Sequence, residues 1–552
     1  MSHKWPLSLD GRALTVHYVD VVQGVHYPAE VWFHEGRIAE VRPTVGRPAV
    51  WMIPGFVDAH IHIESSMLPP QNFAPPALVH GTVATVSDPH EIANVLGVPG
   101  VEYMIASGEQ VPLSFNFGAP SCVPATAFET AGAVLDAGAV AALLDREDIR
   151  YLSEMMNFPG VIQRDPEVMR KIEAAHQRHK PIDGHAPGLR GPELDAYLAA
   201  GITTDHEAFT YEEGREKIEK GMKIIIREGS AARNFEALIP LLAEFPDMVM
   251  MGTDDLHPDD LMRGHINERV RRALEGGFPP MAVLRAATLN PVRHYGLTHG
   301  LAQPDDPATF VLVTSLDRHM KVLATYVNGR LAAAEGKPLT APVEPQVVNA
   351  FAPRRLHPQD FQVPARDGKL RVIEAYDGQL ITGEVFLEPR IIDGQAVPDP
   401  ERDILKITVV NRYRPDAPPA VAFIRGFGLK RGAIASSVAH DSHNVVAVGT
   451  DDAALTAAVN AVMEAQGGLT YADPAQRKVL PLPIAGLMSH LPPRQVAHAY
   501  ENLTRTAVEA GSTLKAPFMT LSFMALLVIP SLKLSDRGLF DGRRFQFVDG
   551  WV

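Results

Sequence analysis

The sequence predicts an α/β protein built on a (β/α)8 barrel of the TIM type, with a composite small β-domain and a C-terminal α+β domain. Across residues 53–300, short apolar runs alternate with helical patterns eight times, which is typical of a parallel barrel. Short strand patterns occur on both sides of this region. Beyond a Pro-rich segment, strand and helix patterns resume.

Eight apolar runs are the predicted barrel strands. Helical stretches separate them, and one begins at Asp165-Pro166, where Asp is a favoured N-cap and Pro a favoured first helical residue. The predicted strands cover residues 53–63, 82–87, 114–118, 151–154, 182–185, 202–206, 223–227 and 248–253.

The segments that flank the barrel carry hairpin signals. Glu35-Gly36 lies between two short strand patterns, and so does Asn328-Gly329, a dipeptide that strongly favours a tight hairpin turn. We therefore expect residues 1–52 and 301–340 to build one small β-domain from both flanks. Residues 341–364 are predicted to be a linker, and residues 365–552 a separate α+β domain.

Composition narrows the class of protein. The 552 residues include 65 acidic and 51 basic ones, a net charge of −14, which disfavours binding to nucleic acid or to an anionic membrane. The one cysteine, Cys122, excludes an intramolecular disulfide framework. The start of the sequence lacks a signal-peptide pattern, and no run of 18 apolar residues occurs. We expect a cytoplasmic protein with neither a nucleic-acid nor a membrane partner.

Histidines and carboxylates stand at the ends of five predicted strands. Residues i and i+2 of a strand share a face, so the imidazoles of the first strand can converge on one ion. The carboxyl ends of barrel strands meet at one rim, where active sites of this fold lie. The residues at these ends are His60, His62, Glu154, His185, His206 and Asp254.

This pattern resembles the amidohydrolase superfamily, and longer strings resemble its adenine deaminase family. The strings run through nearly the whole chain. They are IPGFVDAHIHIESSM at 53–67, DPHEIANV at 88–95, SCVPA at 121–125, EMMNFPGV at 154–161, DGHAPG at 183–188, DHE at 205–207 and GAIASSVAHDSHN at 432–444.

The resemblance implies a site for two divalent metal ions. It assigns His60, His62 and Asp254 to one ion, His185 and His206 to the other, and Glu154 to a bridging position. All these ligands offer nitrogen or oxygen, which suits Mn(II), Fe(II) and Zn(II). The resemblance favours manganese or iron, with zinc as a further option.

The resemblance also implies hydrolytic deamination of adenine to hypoxanthine and ammonia by a metal-activated hydroxide that attacks C6. We expect Asp254 to take a proton and return it to the leaving amine. A protonated Glu91 is the expected hydrogen-bond donor to the purine ring, oriented by Asp88 or His90, and Ser121 is expected to face the purine. A homodimer or larger homo-oligomer is also implied.

Two alternative functions stay open at this point. A cyclic-amide hydrolase of the hydantoinase or dihydroorotase type normally has Lys on strand four, where this chain has none. A catalytically inactive metal-binding scaffold would be suggested by a missing ligand, and none is missing.

The segment from His440 to Asn444 either closes the pocket or builds an interface. The tetrapeptide Gly449-Thr450-Asp451-Asp452 repeats the end of strand eight, but we interpret it as a helix N-terminus.

Overall fold

The computed structural model describes residues 5–230 and 233–552. Its centre is a parallel barrel whose strands each lie within or close to a predicted run. Five strands form one parallel sheet and three form another. They are β5 (Phe56–Ile61), β6 (Thr82–Ser87), β7 (Ser114–Ala119), β8 (Ile149–Met155) and β9 (Ile182–Gly184), then β10 (Thr204–Asp205), β11 (Lys223–Arg227) and β12 (Val249–Gly252).

The two parallel sheets meet at two seams, and a glycine stands at each. The Thr203 amide donates to the Ile182 carbonyl between the β9 and β10 segments, while a Cβ at Gly184 would lie 2.3 Å from the carbonyl oxygen of Thr204. At the other seam the Thr253 amide donates to the carbonyl of His60 on β5, and a Cβ at Gly252 would lie 3.0 Å from that oxygen. These approaches close the barrel.

Helices follow the barrel strands and cover them. Apolar side chains of the strands and helices form its buried core. The helices are α1 (Pro70–Val79), α2 (His90–Leu96), α3 (Val98–Gly108), α4 (Ala137–Leu144), α5 (Phe158–Ile162), α6 (Pro166–Gln177), α7 (Gly191–Ala199), α8 (Tyr211–Glu219), α9 (Phe235–Leu238), α10 (Leu241–Glu244), α11 (Pro258–Arg263), α12 (Ile266–Glu275), α13 (Pro280–Ala287) and α14 (Leu289–Tyr295).

Strands from both flanks of the barrel share one eight-stranded sheet. Its order is β16-β15-β14-β13-β4-β1-β2-β3. The strands are β1 (Ala13–Asp20), β2 (Val25–His34), β3 (Arg37–Pro43), β4 (Trp51–Pro54), β13 (Phe310–Val313), β14 (Val322–Val327), β15 (Arg330–Ala334) and β16 (Lys337–Pro338).

One predicted strand spans two sheets. Residues 53–63 were expected to be a single barrel strand, but Ile53 pairs with Val311 in the composite sheet, and the barrel strand starts at Phe56. Gly55 separates the two strands. A Cβ there would lie 2.2 Å from Cγ2 of Val83, so the chain passes close to β6 at this residue.

The C-terminal region has a second eight-stranded sheet, ordered β19-β18-β23-β22-β25-β24-β26-β27. Its strands are β18 (Leu370–Ala375), β19 (Thr382–Leu387), β22 (Leu405–Val410), β23 (Ala420–Arg425), β24 (Ala433–Ser436), β25 (Val445–Gly449), β26 (Gly468–Ala472) and β27 (Arg477–Pro481). Two small sheets complete it, with β17 (Val363–Pro364), β20 (Arg390–Ile392), β21 (Gln395–Val397), β28 (Leu532–Ser535), β29 (Gly538–Asp541) and β30 (Gln546–Phe547). The helices are α15 (Asp452–Ala465), α16 (Pro493–Glu509) and α17 (Pro517–Ser522).

Across the described ranges, no helix combines the length and the apolar character that crossing a bilayer requires.

Candidate metal centre and active site

The structure brings all six predicted metal ligands together at the carboxyl-terminal rim of the barrel. They stand within or just after β5, β8, β9, β10 and β12. Five of the side chains are buried, and His185 is partly exposed. The six residues are His60, His62, Glu154, His185, His206 and Asp254.

Distances divide these residues into two groups that share Glu154. Asp254 Oδ1 lies 3.2 Å from His62 Nε2 and 3.7 Å from His60 Nε2. Glu154 Oε2 lies 2.8 Å from His185 Nδ1 and 3.1 Å from His206 Nε2. The other oxygen, Glu154 Oε1, lies 3.3 Å from His62 Nε2. One carboxylate therefore spans the two groups, as a bridging ligand would.

Unsatisfied ring nitrogens show that the group fits metal ions. Both ring nitrogens of His60 are buried without a hydrogen-bond partner in the described chain. Such atoms are costly unless they bind something. Burial, with a further contribution from His206, lowers the pKa of His60 well below its usual value, so the ring is held in the neutral form that binds metals. Nitrogen and carboxylate donors suit divalent cations of the first transition row.

Buried carboxylates hold the strand ends in place. Asp58 on β5 accepts hydrogen bonds from the Thr253 amide (3.0 Å) and hydroxyl (2.5 Å), and it lies 2.9 Å from His265 Nε2. Since Thr253 directly precedes Asp254, Asp58 positions that predicted ligand. Asp183 accepts from the hydroxyls of Thr204 and Tyr295, both at 2.8 Å, and so joins β9 to β10.

The residues predicted to bind substrate lie in different places. Asp88 Oδ2 is 3.0 Å from His90 Nδ1, and the same nitrogen is 3.3 Å from Glu154 Oε1, so His90 stands at the edge of the cluster. Ser121 differs from the prediction. Its hydroxyl donates to the backbone carbonyl of Glu154 at 2.5 Å and supports β8, and Ser121 is absent from the cavity wall formed by the described residues.

A cavity opens onto the cluster, and the C-terminal region covers it. Barrel residues supply the polar floor, including His62, His90 and Glu91. Four of the covering side chains are apolar. The other two, His440 and Asp441, are polar and belong to the segment at 440–444. The covering residues are Leu380, His440, Asp441, Phe523, Leu526 and Ile529. Within one chain, therefore, the segment at 440–444 helps to close the pocket.

Comparisons with known proteins agree with this architecture. The amidohydrolase family model matches residues 51–332, and the adenine deaminase C-terminal domain model matches residues 379–546. Over 546 residues the chain is 57% identical to the adenine deaminase of Salinibacter ruber, with 99% of each chain covered. It is 54% identical to that of Sulfurovum sp., over 97% of this chain and 98% of the relative. It is 48% identical to that of Methanosarcina mazei, over 96% and 98%.

This chain belongs to the adenine deaminase family.

In this member of the adenine deaminase family, sequence reasoning missed Arg227. It ends β11, and its guanidinium donates to Asp254 and, at 2.8 Å, to Glu207. Burial alone would raise the pKa of Asp254. Arg227 and the neighbouring His62 and His206 outweigh burial and lower this pKa well below its usual value. The available signal was positional, because Arg227 stands at a strand end like the predicted ligands.

The adenine deaminase C-terminal domain supplies two histidines that contact Glu91. His440 Nδ1 contacts one oxygen of Glu91, and His443 Nε2 contacts the other. Burial alone would raise the pKa of Glu91, but His440, His443 and His90 lower it well below its usual value. The expectation of a protonated Glu91 is therefore corrected: these tertiary contacts hold it as a carboxylate.

By spacing alone, Glu91, His440 and His443 could hold a metal ion. The hydrogen bonding of His443 argues against it. The Ala439 amide donates to Nδ1 of His443 at 3.2 Å, so a neutral ring carries its proton on Nε2 and donates it to Glu91. Burial lowers the pKa of His443 to about 4, which keeps the ring neutral.

Proposed function

We propose that this protein catalyses the hydrolytic deamination of adenine to hypoxanthine and ammonia. The observation that carries the proposal is the 57% identity to a protein named adenine deaminase, over 99% of both chains. The histidine and carboxylate cluster, which lies beneath a small cavity, supports it chemically. The amine leaves a ring carbon, so the site has to supply a nucleophile and return a proton.

The metal centre is proposed from this chain's own residues. His60, His62 and Asp254 would hold one divalent ion, His185 and His206 the other, and Glu154 would contact both. Divalent cations held there would lower the pKa of water and so supply a nucleophile near neutral pH. We propose manganese or iron as the native metal, with zinc as an alternative.

Asp254 is proposed to move the proton. Arg227 holds Oδ2 of Asp254, while Oδ1 faces His60 and His62. The ionised carboxylate accepts a proton from the attacking water and returns it to the amine, which departs as ammonia. His90, oriented by Asp88, would contact the substrate, and Glu91 would act as the charged partner of His440 instead of as a proton donor. Ser121 would support the site indirectly, because its hydroxyl holds β8 through a hydrogen bond to the Glu154 carbonyl.

We also infer a cytoplasmic protein that acts on a small molecule and binds neither nucleic acid nor membrane. The net charge of −14 supports the part of this inference that concerns nucleic acid and anionic membranes. A homodimer or larger oligomer is proposed from the family resemblance.

The first experiment measures adenine turnover. Protein purified with added manganese should convert adenine to hypoxanthine and release ammonia, and a chelator should abolish the reaction. Glu154→Gln should lose metal and activity, because Glu154 contacts both ligand groups. The control is Glu147→Gln, an exposed residue just before β8, which should match the unmodified protein. Absence of turnover by fully metallated protein would refute the adenine assignment.

A further inference from the structure

One carboxylate in the cavity wall has an oxygen that the protein leaves without a partner. Asp441 is only 3% exposed, and its Oδ2 is buried with no hydrogen-bond partner among the described residues. Its Oδ1 lies 3.9 Å from His90 Nε2, which is too far for a direct hydrogen bond. A buried polar atom in this state is costly unless a ligand satisfies it.

The other carboxylates around the cavity already have partners. His440 and His443 contact the two oxygens of Glu91. Arg227 contacts both oxygens of Glu207, and Ser65 donates its hydroxyl to Asp255. Glu154 and Asp254 face the histidine cluster. Among the acidic residues that line this cavity, Asp441 is therefore the one whose side chain accepts no hydrogen bond from the described residues.

The chain around Asp441 is held from several sides. The Tyr413 hydroxyl donates to the Ser442 carbonyl at 2.7 Å. The Asn444 side chain donates to the Thr130 carbonyl at 2.8 Å and accepts from the Arg412 amide at 3.1 Å. The ring of His440 stacks on that of Phe523, with centroids 4.6 Å apart. A fixed carboxylate of this kind is suited to recognising a ligand group.

We propose that Asp441 is a specificity-determining residue that accepts a hydrogen bond from the imidazole N–H of adenine. A carboxylate only accepts, and free adenine offers two kinds of donor, the 6-amino group and the imidazole N–H. The amino group must lie beside the metal ligands, because it leaves from C6. The imidazole N–H can then donate a hydrogen bond to a different wall of the cavity. This inference rests on the proposed deamination of adenine, and it explains how the site would select a free base over a nucleoside.

The test compares two adenine analogues that differ in one group. The first, 7-deazaadenine, keeps the N–H of the five-membered ring. Its furan counterpart has oxygen in that position. The binding of each is measured as a competitive inhibition constant against adenine, with manganese-loaded enzyme. We expect the N–H compound to bind at least about 10-fold more tightly, since hydrogen bonds to charged groups contribute on that scale.

Variants then assign the preference to Asp441. Asp441→Asn should reduce the ratio of the two inhibition constants to about one, since its amide can also donate to the furan oxygen. Asp416→Asn, at an exposed position, is the control and should keep the ratio. Equal binding of the analogues by the unmodified enzyme would overturn the proposal even if the Asp441 variant failed to fold. An unchanged ratio in folded Asp441→Asn would also overturn it. Failure of the unmodified enzyme to deaminate adenine would instead refute the proposed function.

Discussion

At the scale of single residues, Arg227 shows how one side chain sets the chemistry of its neighbours. It lies buried between Asp254 and Glu207, and its guanidinium contacts both. It is well suited to this position, because its planar group pairs with carboxylates through several hydrogen bonds and stays charged. Asp254 therefore remains ionised and oriented toward His60 and His62, the histidines proposed to bind metal.

We expect Arg227→Met to reduce kcat/KM for adenine by about 10- to 100-fold, as is typical when a partner of a metal ligand is removed. Two buried carboxylates would lose their common cation, so the protein should also be destabilised. Steady-state kinetics and metal content measure the effect. Arg215→Met removes an exposed ion pair with Glu219 and serves as the control. Full activity and metal content in Arg227→Met would contradict this role.

At the scale of secondary-structure elements, one tetrapeptide sequence has different roles at its two positions in the chain. Gly252-Thr253-Asp254-Asp255 ends β12 and places Asp254 among the predicted metal ligands. Gly449-Thr450-Asp451-Asp452 leads from β25 into α15, where the Asp451 side chain accepts a hydrogen bond from the Ala454 amide. The interpretation of the second copy as a helix N-terminus is thus confirmed. The element that follows a short motif decides its role.

This contrast yields a paired prediction. Asp451→Ala should lower the free energy of unfolding by about 1 kcal/mol, the usual cost of losing an N-cap, and leave kcat/KM unchanged. Asp254→Ala should abolish turnover, because a proposed metal ligand is lost. Thermal unfolding and adenine turnover measure the two effects. A similar loss of activity in both variants would refute the distinction.

At the scale of the whole molecule, the cavity wall depends on contacts within the C-terminal region. The Lys533 ammonium on β28 donates to the carbonyls of Leu380 (2.6 Å) and Phe523 (2.9 Å), two residues that cover the cavity. Lys533 is fully buried, and burial lowers its pKa to about 7. The covering segments are therefore tied together by a group that titrates near neutral pH.

The stability of the protein should consequently depend on pH through Lys533. An unfolded lysine keeps its proton up to about pH 10.5, so between pH 7 and 10.5 the unfolded state binds more protons than the folded state. The free energy of unfolding should rise with pH in this window, by at most about 1.4 kcal/mol per pH unit. The melting temperature of the unmodified protein should therefore rise relative to that of Lys533→Met as the pH increases from 7 to 9.5.

A control variant separates this effect from general pH sensitivity. Lys515 has a side chain that is 91% exposed, so Lys515→Met should follow the pH profile of the unmodified protein. Parallel profiles for all three proteins would show that Lys533 does not titrate in this window.

The sequence by itself determined the barrel and the histidines and carboxylates at its strand ends. These features depend on local periodicity and on a general property of parallel barrels, whose strand ends meet at one rim. His60, Glu154 and Asp254 could be grouped for that reason although they are far apart in the chain.

Only the tertiary structure decided what surrounds these side chains. The ionised state of Glu91 depends on His440 and His443, which lie about 350 residues away. No periodicity reports such a contact, and the same holds for Arg227 between two carboxylates and for Ser121 behind β8. The unpartnered oxygen of Asp441 likewise became visible only once every neighbouring donor had a position. Local patterns set the elements, whereas charge and hydrogen-bonding partners depend on distances that packing alone establishes.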